Sequence, residues 1–129
     1  MSLLHFSTQR VLEINTYILR TSPGFRGGVD VGKLEGALGR IDNAMLYNGL
    51  DDVFLIAAKY AASIGVAHAF SDANKRTGLA VCLEYLSLND YDITSDTETL
   101  ADATVDLITG KLPESDFADI LYGLWLVEQ

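Results

Sequence analysis

Residues 51–69 read DDVFLIAAKYAASIGVAHA, and no other stretch says as much about the architecture. Two aspartates open it, where a helix start wants acceptors for its unpaired N–H groups. Phe54, Leu55, Ile56, Ala57, Ala58, Ala61, Ala62 and Ile64 then follow at spacings that leave almost no polar face. A helix that is apolar nearly all round is stable only when other elements cover it on every side. The stretch therefore predicts a buried central helix from Asp51-Asp52 to about Ala69. The flanking sequence must supply its cover.

The flanks are helical in period. Ser7 to Arg20 carries Val11, Leu12, Ile14, Tyr17 and Ile18 as one stripe. Thr21 to Gly28 (TSPGFRGG) holds both breaker types and reads as a loop. Asp30 can cap a helix whose apolar face is Leu34, Ala37, Leu38 and Ile41, ended by Asn48 and Gly49. Beyond the central stretch, Asp72 to Asn74 interrupts the pattern. A new helix then runs from about Asn74 to Leu88 and stops at Asn89-Asp90. Ser95 with Glu98 forms a capping-box pattern for a helix to Thr109, closed by Gly110. Pro113 suits the first turn of a last helix bearing Phe117, Ile120, Leu121, Leu124 and Trp125. Gly27 to Val31 and Tyr91 to Thr94 are candidates for short extended pieces. The expected fold is all-α, a compact bundle of about six helices, with the motif loop lying between the central helix and the next.

At 129 residues the chain is expected to form a single domain over 1–129, with Met1-Ser2-Leu3 read as a cloning remnant without structural weight. Hydrophobic residues make up 49%, too many for intrinsic disorder. No run of 18 apolar residues offers a membrane span. The one cysteine, Cys82, excludes an intramolecular disulfide and a multi-thiolate metal site; it reads as an inert buried thiol. No secretory leader pattern opens the chain, so a cytoplasmic location is expected. The net charge of −9 opposes direct nucleic-acid binding, which needs a cationic footprint. That charge is uneven: residues 1–83 carry eight Lys/Arg against seven Asp/Glu, whereas residues 84–129 carry Lys111 against eleven acids. The acidic part reads as a solvated surface; the functional alternative is a half that stays away from an anionic ligand and faces a basic partner.

Chemistry concentrates at His68-Ala69-Phe70-Ser71-Asp72-Ala73-Asn74-Lys75-Arg76-Thr77. A helix starting near Asn74 presents unpaired N–H groups and a partial positive charge, a natural anion site. Lys75 and Arg76 in its first turn oppose the helix dipole, a conflict that a bound anion removes. Asn74 can donate its amide to a phosphate oxygen. A histidine beside a phosphate site, such as His68, can accept a hydroxyl proton. Asp72 offers carboxylate oxygen for a magnesium ion that accompanies phosphates. Phe70 reads as the core anchor of the turn. A second phosphate-loop candidate, Gly27 to Lys33 (GGVDVGK), lacks both a preceding strand and the Ser or Thr that should follow the lysine, where Leu34 stands. It reads as a glycine-rich entry to a helix, with Lys33 a surface charge.

The run HAFSDANKR resembles the Fic-domain signature H-x-F-x-[DE]-[AG]-N-[GK]-R, and its Asn74-Lys75-Arg76 ending resembles the death-on-curing (Doc) branch. Leu34-Glu35, Ala37 to Arg40 and Leu86 to Asp90 extend the resemblance along the chain. The wider family transfers AMP from ATP to a target hydroxyl, with Gly after the motif Asn and a second Arg three residues after the first. Lys75 and Leu79 occupy those positions here, as in the Doc branch. That branch is characterised by protein phosphorylation, with the ATP γ-phosphate at the anion site. The resemblance implies a toxin that uses ATP and Mg2+ to phosphorylate a threonine of elongation factor Tu, blocks translation, and is silenced by a small antitoxin protein. It implies His68 as general base, Asp72 as magnesium or hydroxyl positioner, and Asn74, Lys75 and Arg76 as phosphate ligands, with His68, Asp72 and Arg76 the catalytic set.

Two alternatives keep the fold: AMP or other nucleotide transfer at the same site, and a non-catalytic interaction module. The self-inhibitory pattern [ST]-x-x-x-E-[GN] has no match, since Glu98 follows Thr94 by four but Thr99 comes next. Control by a partner antitoxin is the corresponding expectation. Trp125, with Leu121 and Leu124, reads as core in preference to an antitoxin groove. His5 reads as exposed, and Phe25-Arg26 as a candidate flap over the target segment.

Overall fold

Local chemistry starts most of the helices. The computed structural model describes residues 6–22, 24, 27–94 and 97–129. Met1-Ser2-Leu3, His5, the Phe25-Arg26 flap and the Ser95 half of the capping box lie outside the described residues. Helix α1 (Thr8–Thr21) begins at Ser7, whose hydroxyl accepts from the Arg10 N–H at 3.1 Å. Helix α2 (Val31–Tyr47) begins at Asp30, whose carboxylate accepts from the Lys33 N–H. That carboxylate covers the Lys33 N–H, which a phosphate loop would leave open, so the glycine-rich stretch before it is a helix entry. Helix α3 (Val53–Ala67) begins at Asp52, which accepts from the Phe54 and Leu55 N–H groups at 2.9 and 3.1 Å. Helices α4 (Asn74–Leu88), α5 (Thr97–Ile108) and α6 (Glu114–Val127) complete an all-α bundle.

Helix α3 is the centre. It buries Phe54, Ile56, Ala57, Tyr60, Ala61 and Ile64 and packs against α2, α4, α5 and α6, while α1 lies on α4 and α2. Full burial of one such large apolar side chain contributes about 1.5–3 kcal/mol. The closest approach is to α4. A Cβ added at Gly78 would stand 2.7 Å from the Ala61 carbonyl oxygen, so only glycine lets the two backbones meet. At the far end of α3, Gly65 lies under the side chain of Ile108 from α5.

Several expectations are corrected. The central helix stops at Ala67, because His68 takes the left-handed conformation (φ 51, ψ 41) and turns the chain. Tyr17 is 67% exposed; the inward face of α1 runs through Val11, Ile14 and Asn15 instead. Pro113 sits at the N-cap of α6, one residue before its first turn. Of the two extended pieces, Gly27 to Val31 forms a single bridge, Val29 to Phe70, and Tyr91 to Thr94 forms none. Trp125 packs among Phe54, Tyr91 and Tyr122, with ring centroids 6.0, 5.0 and 5.8 Å away. Cys82 is fully buried and burial pushes its thiol pKa up, away from reactivity. Among the described residues, no helix is long and apolar enough to cross a membrane.

Candidate functional site

The turn between α3 and α4 is bracketed by two residues in a conformation that L side chains avoid. His68 has φ 51 and Ala73 has φ 64. Such strain costs about 1–2 kcal/mol per residue and persists where the surroundings over-determine it. The surroundings are visible. Phe70 is buried and Ala69 accepts from the Asp30 N–H at 2.7 Å, so the turn is anchored to the core and to the start of α2. Ser71 donates its hydroxyl to the Gly28 carbonyl. Asn74 reaches back four residues: its Oδ1 accepts from the Phe70 N–H at 3.1 Å and its Nδ2 donates to the Phe70 carbonyl at 3.0 Å.

The start of α4 is left open by this arrangement. Its N-cap is Ala73, which has no side chain able to cap. Asp72 does not serve as the N-cap; its Oδ1 accepts from the Ala73 N–H at 2.6 Å, and the first helical bond is Thr77 N–H to the Ala73 carbonyl. The N–H groups of Asn74, Lys75 and Arg76 precede that bond and have no intrahelical acceptor. They face the positive end of the helix dipole.

A cavity of about 460 Å³ lies against this end, lined by His68, Ser71, Asp72, Ala73, Asn74, Lys75 and Arg76, with Gly65, Ile108 and Thr109 behind. All five expected site residues thus border one space. His68 is exposed at its rim, as are Lys75 and Arg76. Among the described residues Lys75 has no ion-pair partner. Arg76 donates to the Ser22 hydroxyl at 2.8 Å, and its guanidinium stands 3.9 Å from the Asp72 carboxylate. The Asn74 side chain is engaged with Phe70 on both polar atoms. In this arrangement it shapes the turn, and what it offers the cavity is its backbone N–H.

Two further contributors were not singled out from sequence. Gly24 packs on the site: a Cβ there would stand 3.1 Å from both Asp72 Oδ2 and an Arg76 guanidinium nitrogen. Asn15, buried on α1, donates to the Asp72 carbonyl at 3.2 Å and to the Thr77 hydroxyl at 3.0 Å. A signal for Asn15 did exist, since a polar residue on the apolar face of a helix needs a partner.

Chemically, the cavity can hold a polyanion at the first-turn N–H groups of α4 and two cations, with an imidazole and a carboxylate at its edge. A magnesium ion that travels with phosphates takes one or two protein carboxylates and completes its shell from the anion and water. Asp72 fits that requirement. A sequence model of the Fic/DOC family matches residues 5–86. The protein kinase doc of Escherichia phage P1 is 32% identical over 121 residues, a match that spans 94% of this chain and 95% of that protein.

Proposed function

This chain belongs to the Fic/DOC family, and we propose that it is a protein kinase of the Doc branch, moving the γ-phosphate of ATP to a hydroxyl of a target protein. The observation that carries this reading is the single cavity shared by the His68 imidazole and the open, cationic start of α4. Phosphoryl transfer asks for alignment and charge neutralisation more than for covalent work by the protein. The backbone N–H groups of Asn74, Lys75 and Arg76, with the two side-chain cations, hold the terminal phosphates. His68 takes the proton of the target hydroxyl as its oxygen attacks the γ-phosphorus. The bond from that phosphorus to the β–γ bridging oxygen breaks, and ADP departs. Asp72 would hold the magnesium ion, which neutralises phosphate charge when bound.

The relative's kinase name supports phosphoryl over adenylyl transfer, and the lysine at position 75 points the same way. It fills the place where the AMP-transferring branch keeps glycine. We further propose a translation factor of the elongation factor Tu kind as target, its Thr hydroxyl as acceptor, a small antitoxin as the partner that silences the enzyme, and the cytoplasm as the place of action. The charge balance favours neither nucleic acid nor a membrane as a direct partner.

Mass spectrometry of elongation factor Tu incubated with the chain and MgATP tests the reaction. The expected gain is one phosphate, absent with His68→Ala. A gain of AMP makes the chain a nucleotidyl transferase. Unfolding with and without MgATP tests the non-catalytic reading: a bound nucleotide raises the midpoint, whereas no shift together with no modification leaves only an interaction module.

A further inference from the structure

We infer that Asn15 is a positioning residue for the anion-binding start of α4. The inference rests on the site reading above and goes one residue beyond the motif. Asn15 is 6% exposed, on the face of α1 turned toward α4. Its amide nitrogen donates in two directions, to the Asp72 carbonyl at 3.2 Å and to the Thr77 hydroxyl at 3.0 Å. Those two residues flank Ala73, Asn74, Lys75 and Arg76, the stretch that supplies the first-turn N–H groups of α4 and both cations. Thr77 is itself fully buried and makes the first helical bond, to the Ala73 carbonyl. One side chain thus ties the peptide before the cradle to the residue after it.

This tie has a mechanical reason. Ala73 sits at φ 64 and cannot cap α4, so the turn is held by its neighbours: the Asp72 carboxylate accepts from the Ala73 N–H, and Asn15 donates to the Asp72 carbonyl. Without Asn15 the Asp72 carbonyl loses its donor, and the peptide that links it to the Ala73 N–H is held only by the Asp72 carboxylate, so it can tilt. A shift of that kind misaligns the N–H groups and weakens phosphate binding, because hydrogen bonds fall off steeply with angle. Helix α1 supports the same site again at its C-terminal end, where the Ser22 hydroxyl accepts from Arg76.

Two near-isosteric variants test the inference: Asn15→Leu removes the donor, and Thr77→Val removes one acceptor while keeping the shape of the buried side chain. The probes are inorganic tripolyphosphate, titrated by calorimetry well below the unfolding midpoint, and MgATP in the transfer assay. The expected result is at least tenfold weaker tripolyphosphate binding by Asn15→Leu and a similar rise in KM for MgATP, with KM for the protein target within twofold of wild type. A purely structural residue would lower the unfolding midpoint and leave that split absent. Should Asn15→Leu not fold, Thr77→Val is expected to give the same split at smaller size. Wild type binding tripolyphosphate with the folded variants matching it within twofold overturns the role of Asn15. Wild type that does not bind tripolyphosphate overturns the anion site itself and the inference with it.

Discussion

His68 is the residue at which strain and chemistry coincide. Its left-handed backbone ends α3, and the residue is exposed to solvent at the rim of the cavity. A glycine there would relax the backbone, since it pays no Cβ penalty at positive φ. His68→Ala and His68→Gly are both expected to abolish phosphate transfer. They should differ in stability, with the glycine variant the more stable by about 1 kcal/mol, read from urea unfolding midpoints. Equal midpoints would mean that position 68 carries no backbone strain. Asn74 illustrates the opposite case at the same scale. Its side chain serves the Phe70 peptide, so its loss is expected to disturb the turn as well as any ligand contact.

At the scale of elements, the site depends on how closely α4 lies on α3. Gly78 sets that distance, one turn beyond the cradle. Gly78→Ala would drive a methyl group against the Ala61 carbonyl oxygen, 2.7 Å away, and a backbone oxygen cannot rotate aside. The helices must separate, at a cost of about 1–3 kcal/mol, the usual range for overpacking. Urea unfolding of the variant measures it, and a change below about 0.5 kcal/mol would show that α4 shifts without resistance. Ion pairs between elements matter less. Arg10 to Glu84 links α1 to α4 and Lys59 to Glu114 links α3 to α6, all with partly exposed side chains, so each contributes little.

Across the whole molecule, burial couples the protonation of three core groups to folding. Burial pushes the Tyr60 hydroxyl up to about 12, and burial likewise raises Tyr85 and Cys82. A group with a raised folded pKa keeps its proton longer when folded. Its stabilising effect is complete below the unfolded value and disappears as pH rises through the folded one. Stability is therefore expected to hold up to about pH 8, where the unfolded thiol begins to ionise, and to fall from there to about pH 12. Tyr60 alone would contribute a loss of about 2–3 kcal/mol over its range. Urea midpoints measured from pH 7 to pH 11 should decline above about pH 8; a flat profile would contradict the burial of these groups.

The helices and the candidate site were legible along the chain because the interactions that define them span few residues. Ser7, Asp30 and Asp52 bond N–H groups two or three positions ahead, and the motif from His68 to Arg76 is a single turn. The apolar run of α3 likewise announces its own burial. Asn15, Ser22 and Gly24 acquire their roles only when α1 and its following loop settle on α4, more than fifty residues away in sequence. Such contacts depend on packing distance and helix orientation, which the core sets collectively, so no short window of residues encodes them. The left-handed turn at Ala73 is of the same kind: an alanine has no local reason to adopt it, and the anchored surroundings of the loop impose it.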